Sequence, residues 1–131
     1  MAVPKVISWN SAGLRANTVT TSKKMAFFDT QFPNANFAIA AFIETHHKSE
    51  LEFPDEIREY MVTHHLIHTP TQPGETHNGI IVLVNKDYNI LNTKEVIPGT
   101  LLNLHIQHTT SKTKYNLTAF YVPRWTRLQK N

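Results

Sequence analysis

The chain has 131 residues, 40% of them hydrophobic and none cysteine, and 13 basic against 10 acidic side chains leave a net charge of +3. That size suits one globular domain with a buried core. The missing thiols exclude disulfides, thiolate zinc sites and cysteine nucleophiles, and fit a reducing, intracellular compartment. No apolar stretch approaches the roughly 20 residues needed to cross a bilayer, so no membrane partner is expected, and the opening MAVPKVISWN makes a poor signal peptide.

In chain order, VPKVISW at 3–9 reads as a first strand, with a turn at Ser11-Ala12-Gly13. Residues 18–32 read as a helix, with Thr20, Thr21 or Ser22 as N-cap and Pro33 as its stop. FAIAAFI at 37–43 is a continuous apolar run of strand length, as in a strand covered on both faces. SELEFPDEIREYM at 49–61 predicts a short helix with acids in its first turn. From residue 62 the patterning turns to β, with VTHHLIHT, GIIVLVN, NILNTKEVI, TLLNLHIQH and YNLTAFYV as candidate strands. Turns are expected at Lys86-Asp87-Tyr88-Asn89 and Ile97-Pro98-Gly99-Thr100, and residues 69–78 form the longest irregular stretch.

The order β-α-β-α followed by a β meander predicts an α/β fold: a mixed sheet with helices on one face. FAIAAFI and IIVLV are apolar at consecutive positions, so both of their faces need cover. Two helices cover one face, and the other is expected to lie open for another protein chain or a second half-domain.

Charge is spread unevenly. Lys5, Arg15, Lys23 and Lys24 lie in the first 28 residues with no acid among them, and residues 112–131 carry Lys112, Lys114, Arg124, Arg127 and Lys130, again without an acid. Basic ends suit a polyanion such as nucleic acid, solvated surface charge being the plainer alternative. The eight histidines invite a zinc reading. On a strand, however, His105 and His108 point to opposite faces, and His64 and His68 stand too far apart to share an ion. His46 and His47 flank Glu44 but are not expected to ligate.

Four stretches, in order, carry a resemblance: WNSAGL at 9–14, IETH at 43–46, GIIVLV at 79–84 and Tyr121-Val122-Pro123. Together the sequence resembles the N-terminal half of the endonuclease/exonuclease/phosphatase family, most closely the apurinic-like endonuclease of non-LTR retrotransposons. The resemblance runs through residues 1–123, leaves 124–131 as a basic tail, and implies one half of a four-layer α/β-sandwich.

What the resemblance implies for function is a metal-dependent phosphodiesterase of DNA endonuclease type. Phosphodiester hydrolysis builds negative charge that a hard divalent cation on carboxylates neutralises well. By the resemblance Glu44 is the Mg²⁺ ligand, Asn10 assists metal and catalysis, and Tyr121 lies near the phosphate; the uneven charge, and not the resemblance, offers Arg15, Lys112, Lys114, Arg124 and Arg127 as the residues that meet nucleic acid. A retrotransposon origin would imply the nucleus. The departures matter equally: Ile43 stands where the family has a polar Gln, Arg124 where an Asn is common, and the later G-D-x-N and S-D-H motifs are missing. Without that water-orienting acid and that His, the chain is expected not to cut nucleic acid alone. The alternative expectation is a non-catalytic, domesticated half-domain that acts as an interaction subunit of a larger assembly.

Overall fold

The computed structural model describes residues 4–122. Pro123, Arg124, Trp125 and Arg127, and with them the expected basic tail, lie outside the described residues. Two sheets carry the fold. The first has the order β1-β2-β4-β3, built from β1 (Val6–Asn10), β2 (Ile39–Ile43), β3 (His64–Thr69) and β4 (Ile80–Asn85). β1 pairs parallel with β2, whereas β4 runs antiparallel to both β2 and β3, so this sheet is mixed. The second is antiparallel, in the order β5-β6-β7, from β5 (Tyr88–Ile97), β6 (Leu101–His108) and β7 (Lys114–Phe120).

The helices α1 (Val19–Gln31) and α2 (Asp55–Glu59) cover one face of the mixed sheet. In α1, Thr21, Met25 and Phe28 form a buried stripe at helical spacing. The cap is Thr18, whose hydroxyl accepts the Thr21 N–H at 3.1 Å, two residues before the earliest expected cap. The single helix expected over 49–61 is instead split. Pro54 keeps Phe53 extended, so a 3₁₀ turn at Glu50–Glu52, α2, and a second 3₁₀ turn at Tyr60–Val62 follow one another.

On this side Phe28 is the hub of the core: Trp9 stacks on it at 5.7 Å, and Phe32, Phe37, Phe42 and Tyr60 surround it. Ala40 and Phe42 of β2, with Ile81 and Leu83 of β4, face the same layer. Their neighbours Ile39, Ile43, Ile80, Val82 and Val84 face the other way. This alternation explains the unbroken apolar runs.

The expected open sheet face is a correction. It is covered by the chain's own second sheet, through Leu102, Leu104 and Ile106 of β6 and Tyr88 of β5. The last three strands do not extend the first sheet; the Lys86-Asp87 turn carries the chain across to a second layer. The physical reason is legible in β6, where buried Leu102, Leu104 and Ile106 alternate with Asn103 and His105. That period of two marks a strand with one dry face, which packs as a lid. The α/β class and the placement of helices on one face stand. Three layers result, helices, mixed sheet and antiparallel sheet, and among the described residues no helix covers the outer face of β5–β7. No described helix is long and apolar enough to cross a membrane.

Candidate metal and phosphate site at the sheet lip

β1 and β2 end, and β4 begins, at the same lip, and the ladder continues into the loops beyond. Ser11 N–H donates to Ile43 O at 2.9 Å, Gly13 N–H to Glu44 O at 2.7 Å and Leu14 N–H to Thr45 O at 2.9 Å. From the other side Thr45 N–H donates to Gly79 O and His46 N–H to Asn78 O, each at 3.1 Å. Residues 44–46 are thus held between two neighbours although β2 has formally ended. Lys24 adds a further tie, its ammonium donating to the carbonyls of Ser11, Ala12 and Gly13 at 2.7, 3.2 and 2.8 Å.

Within this frame Glu44 and His46 both adopt left-handed backbone, with φ of 60° and 62°. For non-glycine residues that costs about 1–3 kcal/mol each, and it persists only where surrounding bonds enforce it. Two glycines make the geometry possible. A Cβ on Gly13 (φ +101°) would stand 2.9 Å from His46 Nδ1, and one on Gly79 (φ +104°) would stand 2.8 Å from Thr45 Oγ1 and 2.9 Å from Thr71 Oγ1.

Glu44 is half-buried, and its carboxylate is oriented from two sides. Asn10 Nδ2 donates to Oε2 at 2.9 Å, while Asn10 Oδ1 accepts the Ala12 N–H at 3.0 Å. Both ends of that amide are therefore engaged, and Asn10 aims the carboxylate. His46 Nε2 lies 3.4 Å from Glu44 Oε1, within ion-pair range yet without hydrogen-bond geometry, and the atom is buried without a hydrogen-bond partner. His77, from the loop before β4, stacks edge-on against His46 at 5.5 Å. One ligand atom from each of Glu44, His46 and His77 falls within 4.8 Å of the others. A carboxylate and two imidazoles, one of them with an orphaned buried nitrogen, fit a divalent cation.

Behind the lip runs a line of polar groups that starts buried at Thr45 and His47 and ends at the exposed Glu50. Thr45 Oγ1 meets His47 Nδ1 at 2.5 Å, His47 Nε2 meets His68 Nδ1 at 3.1 Å, and His68 Nε2 lies 3.7 Å from Glu50 Oε1. A consistent proton order has each group donating toward Glu50. Burial, and then the neighbouring His68, push the His47 pKa down to about 4, so His47 is neutral near pH 7.

Arg15 is exposed and borders a cleft of about 300 Å³ beside the site, together with His46, His47, Lys48, Leu51 and Glu52. Arg15 and Lys48 bring two cationic side chains to this cleft and Glu52 an anionic one; Lys48 carries no expectation from the sequence. Tyr121 closes β7 at the same end of the molecule. Its N–H donates to Thr100 O at 2.9 Å, and its side chain packs half-buried on the core between the sheets. Thr100 is tied to Asn78 at 3.4 Å, and Asn78 O in turn accepts the His46 N–H, so bonded links join Tyr121 to the cluster.

Lys112 and Lys114 stand elsewhere. They are exposed where β6 ends and β7 begins, at the opposite end of the sheet from Glu44, and the structure does not bring them to the lip. His64 and His65 bond to the carbonyls of Phe37 and Tyr88, which spends them on the fold. The structure brings His46, not expected to ligate, and His77, absent from the sequence reading, into one cluster with Glu44. His46 is brought round by left-handed backbone at Glu44 and His46, which no strand periodicity announces. His77 carried no signal, because only the closure of loop 69–78 brings it in.

No family model and no curated protein sequence matches the chain. Among solved structures, the fold is similar to that of an AP endonuclease from Leishmania major, with a TM-score of 0.61 over 92% of this chain at 15% sequence identity. The chain spans 40% of the length of that protein.

Proposed function

We propose that this chain is one part of a metal-dependent phosphodiesterase site of DNA endonuclease type, inactive by itself. The observation that carries the reading is the Asn10–Glu44 pair, a carboxylate aimed by an amide at the lip of a sheet. In this reading Glu44 holds a divalent cation, Mg²⁺ by the family resemblance, and the cation supplies Lewis acidity toward a phosphoryl oxygen. Asn10 fixes the carboxylate, Arg15 and Lys48 attract the nucleic acid backbone, and Tyr121 helps bound the phosphate pocket. Lys112, Lys114, Arg124 and Arg127 add sequence-independent attraction for a polyanion. What supports the inactivity is that the G-D-x-N and S-D-H motifs do not occur in the sequence. An origin in a non-LTR retrotransposon, and with it a nuclear location, belongs to the same proposal.

The test pairs plasmid nicking with duplex-DNA binding by the purified chain. The reading expects no nicking, and binding that a divalent cation strengthens in the native chain but not in Glu44→Gln. Nicking that Glu44→Ala abolishes would overturn the inactivity, and DNA binding indifferent to both cation and Glu44 would overturn the site.

A second reading, a non-catalytic interaction subunit, is favoured by one observation. The free edges of β1 and β7 flank a cavity of about 190 Å³ lined by Val6, Ile39, Ile43, Leu104, Leu117 and Phe120. Val6 and Phe120 remain 54% and 55% exposed there. Two edges that no described strand pairs, with an apolar mouth between them, suit a strand-bearing partner such as a second half-domain. A chain that light scattering finds monomeric at all concentrations, and that no such partner binds, contradicts this reading.

A further inference from the structure

We infer that Glu44, His46 and His77 form a site for an imidazole-binding divalent transition metal of the zinc class, in preference to magnesium. This rests on the reading above that Glu44 takes a cation, and it names the kind of cation. Three observations carry it. The first is the donor set itself. Mg²⁺ takes oxygen ligands and retains its waters, whereas imidazole nitrogen suits zinc, copper, iron and nickel. Two of the three groups that converge here are imidazoles. Among the described residues no second carboxylate joins Glu44 in the cluster.

The second is spacing. Ligand atoms at about 2.0–2.2 Å from one ion stand roughly 3–4 Å from each other. Glu44 Oε1 and His46 Nε2 are already 3.4 Å apart, and the three ligand atoms lie within 4.8 Å. His77 sits on an exposed loop, so the remaining approach falls to the part of the cluster outside the sheet. The third is the state of His46. Its Nε2 is buried without a hydrogen-bond partner, a costly condition for a polar atom that a cation would relieve. The backbone does not let the ring retreat, since His46 N–H is bonded to Asn78 O and Gly13 lies against the ring.

One carboxylate with two imidazoles is also the composition of catalytic zinc sites, which keep a fourth position open, and not of closed structural ones. The second sphere is in place through Asn10 on Glu44 Oε2.

The experiment is calorimetric titration of the full chain with Zn²⁺ and, separately, with Mg²⁺, repeated for His77→Ala, His46→Gln and Glu44→Gln. Co²⁺ in place of Zn²⁺ provides a spectroscopic check through its visible ligand-field bands. The inference expects one Zn²⁺ site much tighter than Mg²⁺. Each His substitution should weaken Zn²⁺ by at least the 10–100-fold that loss of an outer-sphere partner costs, and should alter the Co²⁺ spectrum. His105→Ala serves as a control that leaves both unchanged. Zn²⁺ affinity that survives His77→Ala and His46→Gln overturns the inference, as does loss of Zn²⁺ only in the His105 control. If Mg²⁺ binds through Glu44 while the His variants behave as the native chain, this inference fails and the proposed function stands. If Glu44→Gln alters no cation, both fail.

Discussion

Asn10 donates its side-chain amide to Glu44 at 2.9 Å, across 34 residues of chain and between the ends of two parallel strands. The Asn10 carbonyl is held in turn by the Ala12 N–H at 3.0 Å, so the amide cannot rotate without breaking two bonds. Asn10→Ala is therefore expected to leave the fold intact and to weaken cation binding by about 10–100-fold, the usual effect of losing a partner of a ligand. Calorimetry with denaturant unfolding separates the two effects; unchanged affinity would remove Asn10 from the site.

The glycines that admit the site give a second expectation. Gly79→Ala would force a methyl to 2.8 Å from Thr45 Oγ1 in a backbone region that alanine rarely adopts. A loss of about 1–3 kcal/mol is expected from conformational strain, with the clash in addition. Gly13→Ala meets the His46 ring instead and should impair cation binding as well as stability. Urea midpoints for the two variants check this, and alanine tolerated at both would contradict the described loop conformations.

The burial of His47 predicts a pH dependence of stability. His47 is 1% exposed, and its pKa is lowered from 6.5 to about 4, by burial first and then by His68. A lowered histidine pKa means that the unfolded chain binds more protons, so the contribution is fully present above pH 6.5 and is lost as pH falls toward 4. The window corresponds to roughly 3 kcal/mol. Burial lowers the His64 pKa too, against an opposing bond to the Phe37 carbonyl, and acts in the same direction. Unfolding midpoints measured across that range should slope downward with acid, less steeply in His47→Gln. A flat profile would mean that His47 is not buried as described.

Phe28 tests the helical layer. It touches five other aromatic rings and is 3% exposed. Phe28→Ala should cost about 3–5 kcal/mol through lost burial and the cavity left behind. A cost under about 1 kcal/mol would mean that α1 does not seat on the sheet as described.

Much of this was legible in the sequence, and the exceptions share a cause. β2 and β4 declared themselves by consecutive apolar residues, and their neighbours followed from period and turn residues. The second layer was missed because its strands were read as one meander in one sheet, although the alternation of Leu102, Leu104 and Ile106 already described a strand with one dry face. Pro54 split a helix that the acid-rich pattern had joined. At the site, Glu44 and Asn10 were found through motif context, and the structure brings them into contact. His77 and Lys48 were not found, because loop closure and cleft walls leave no periodic mark in a chain. Lys112 and Lys114, grouped with Arg15 by charge alone, stand at the far end of the sheet.

The most direct measurement is a cation titration of the native chain beside Glu44→Gln, followed by calorimetry at fixed pH and salt. The expected result is one saturable divalent site in the native chain and its loss in Glu44→Gln, with both proteins equally folded. Identical isotherms for the two proteins would contradict a metal site at Glu44 and, with it, the phosphodiesterase reading of this fold.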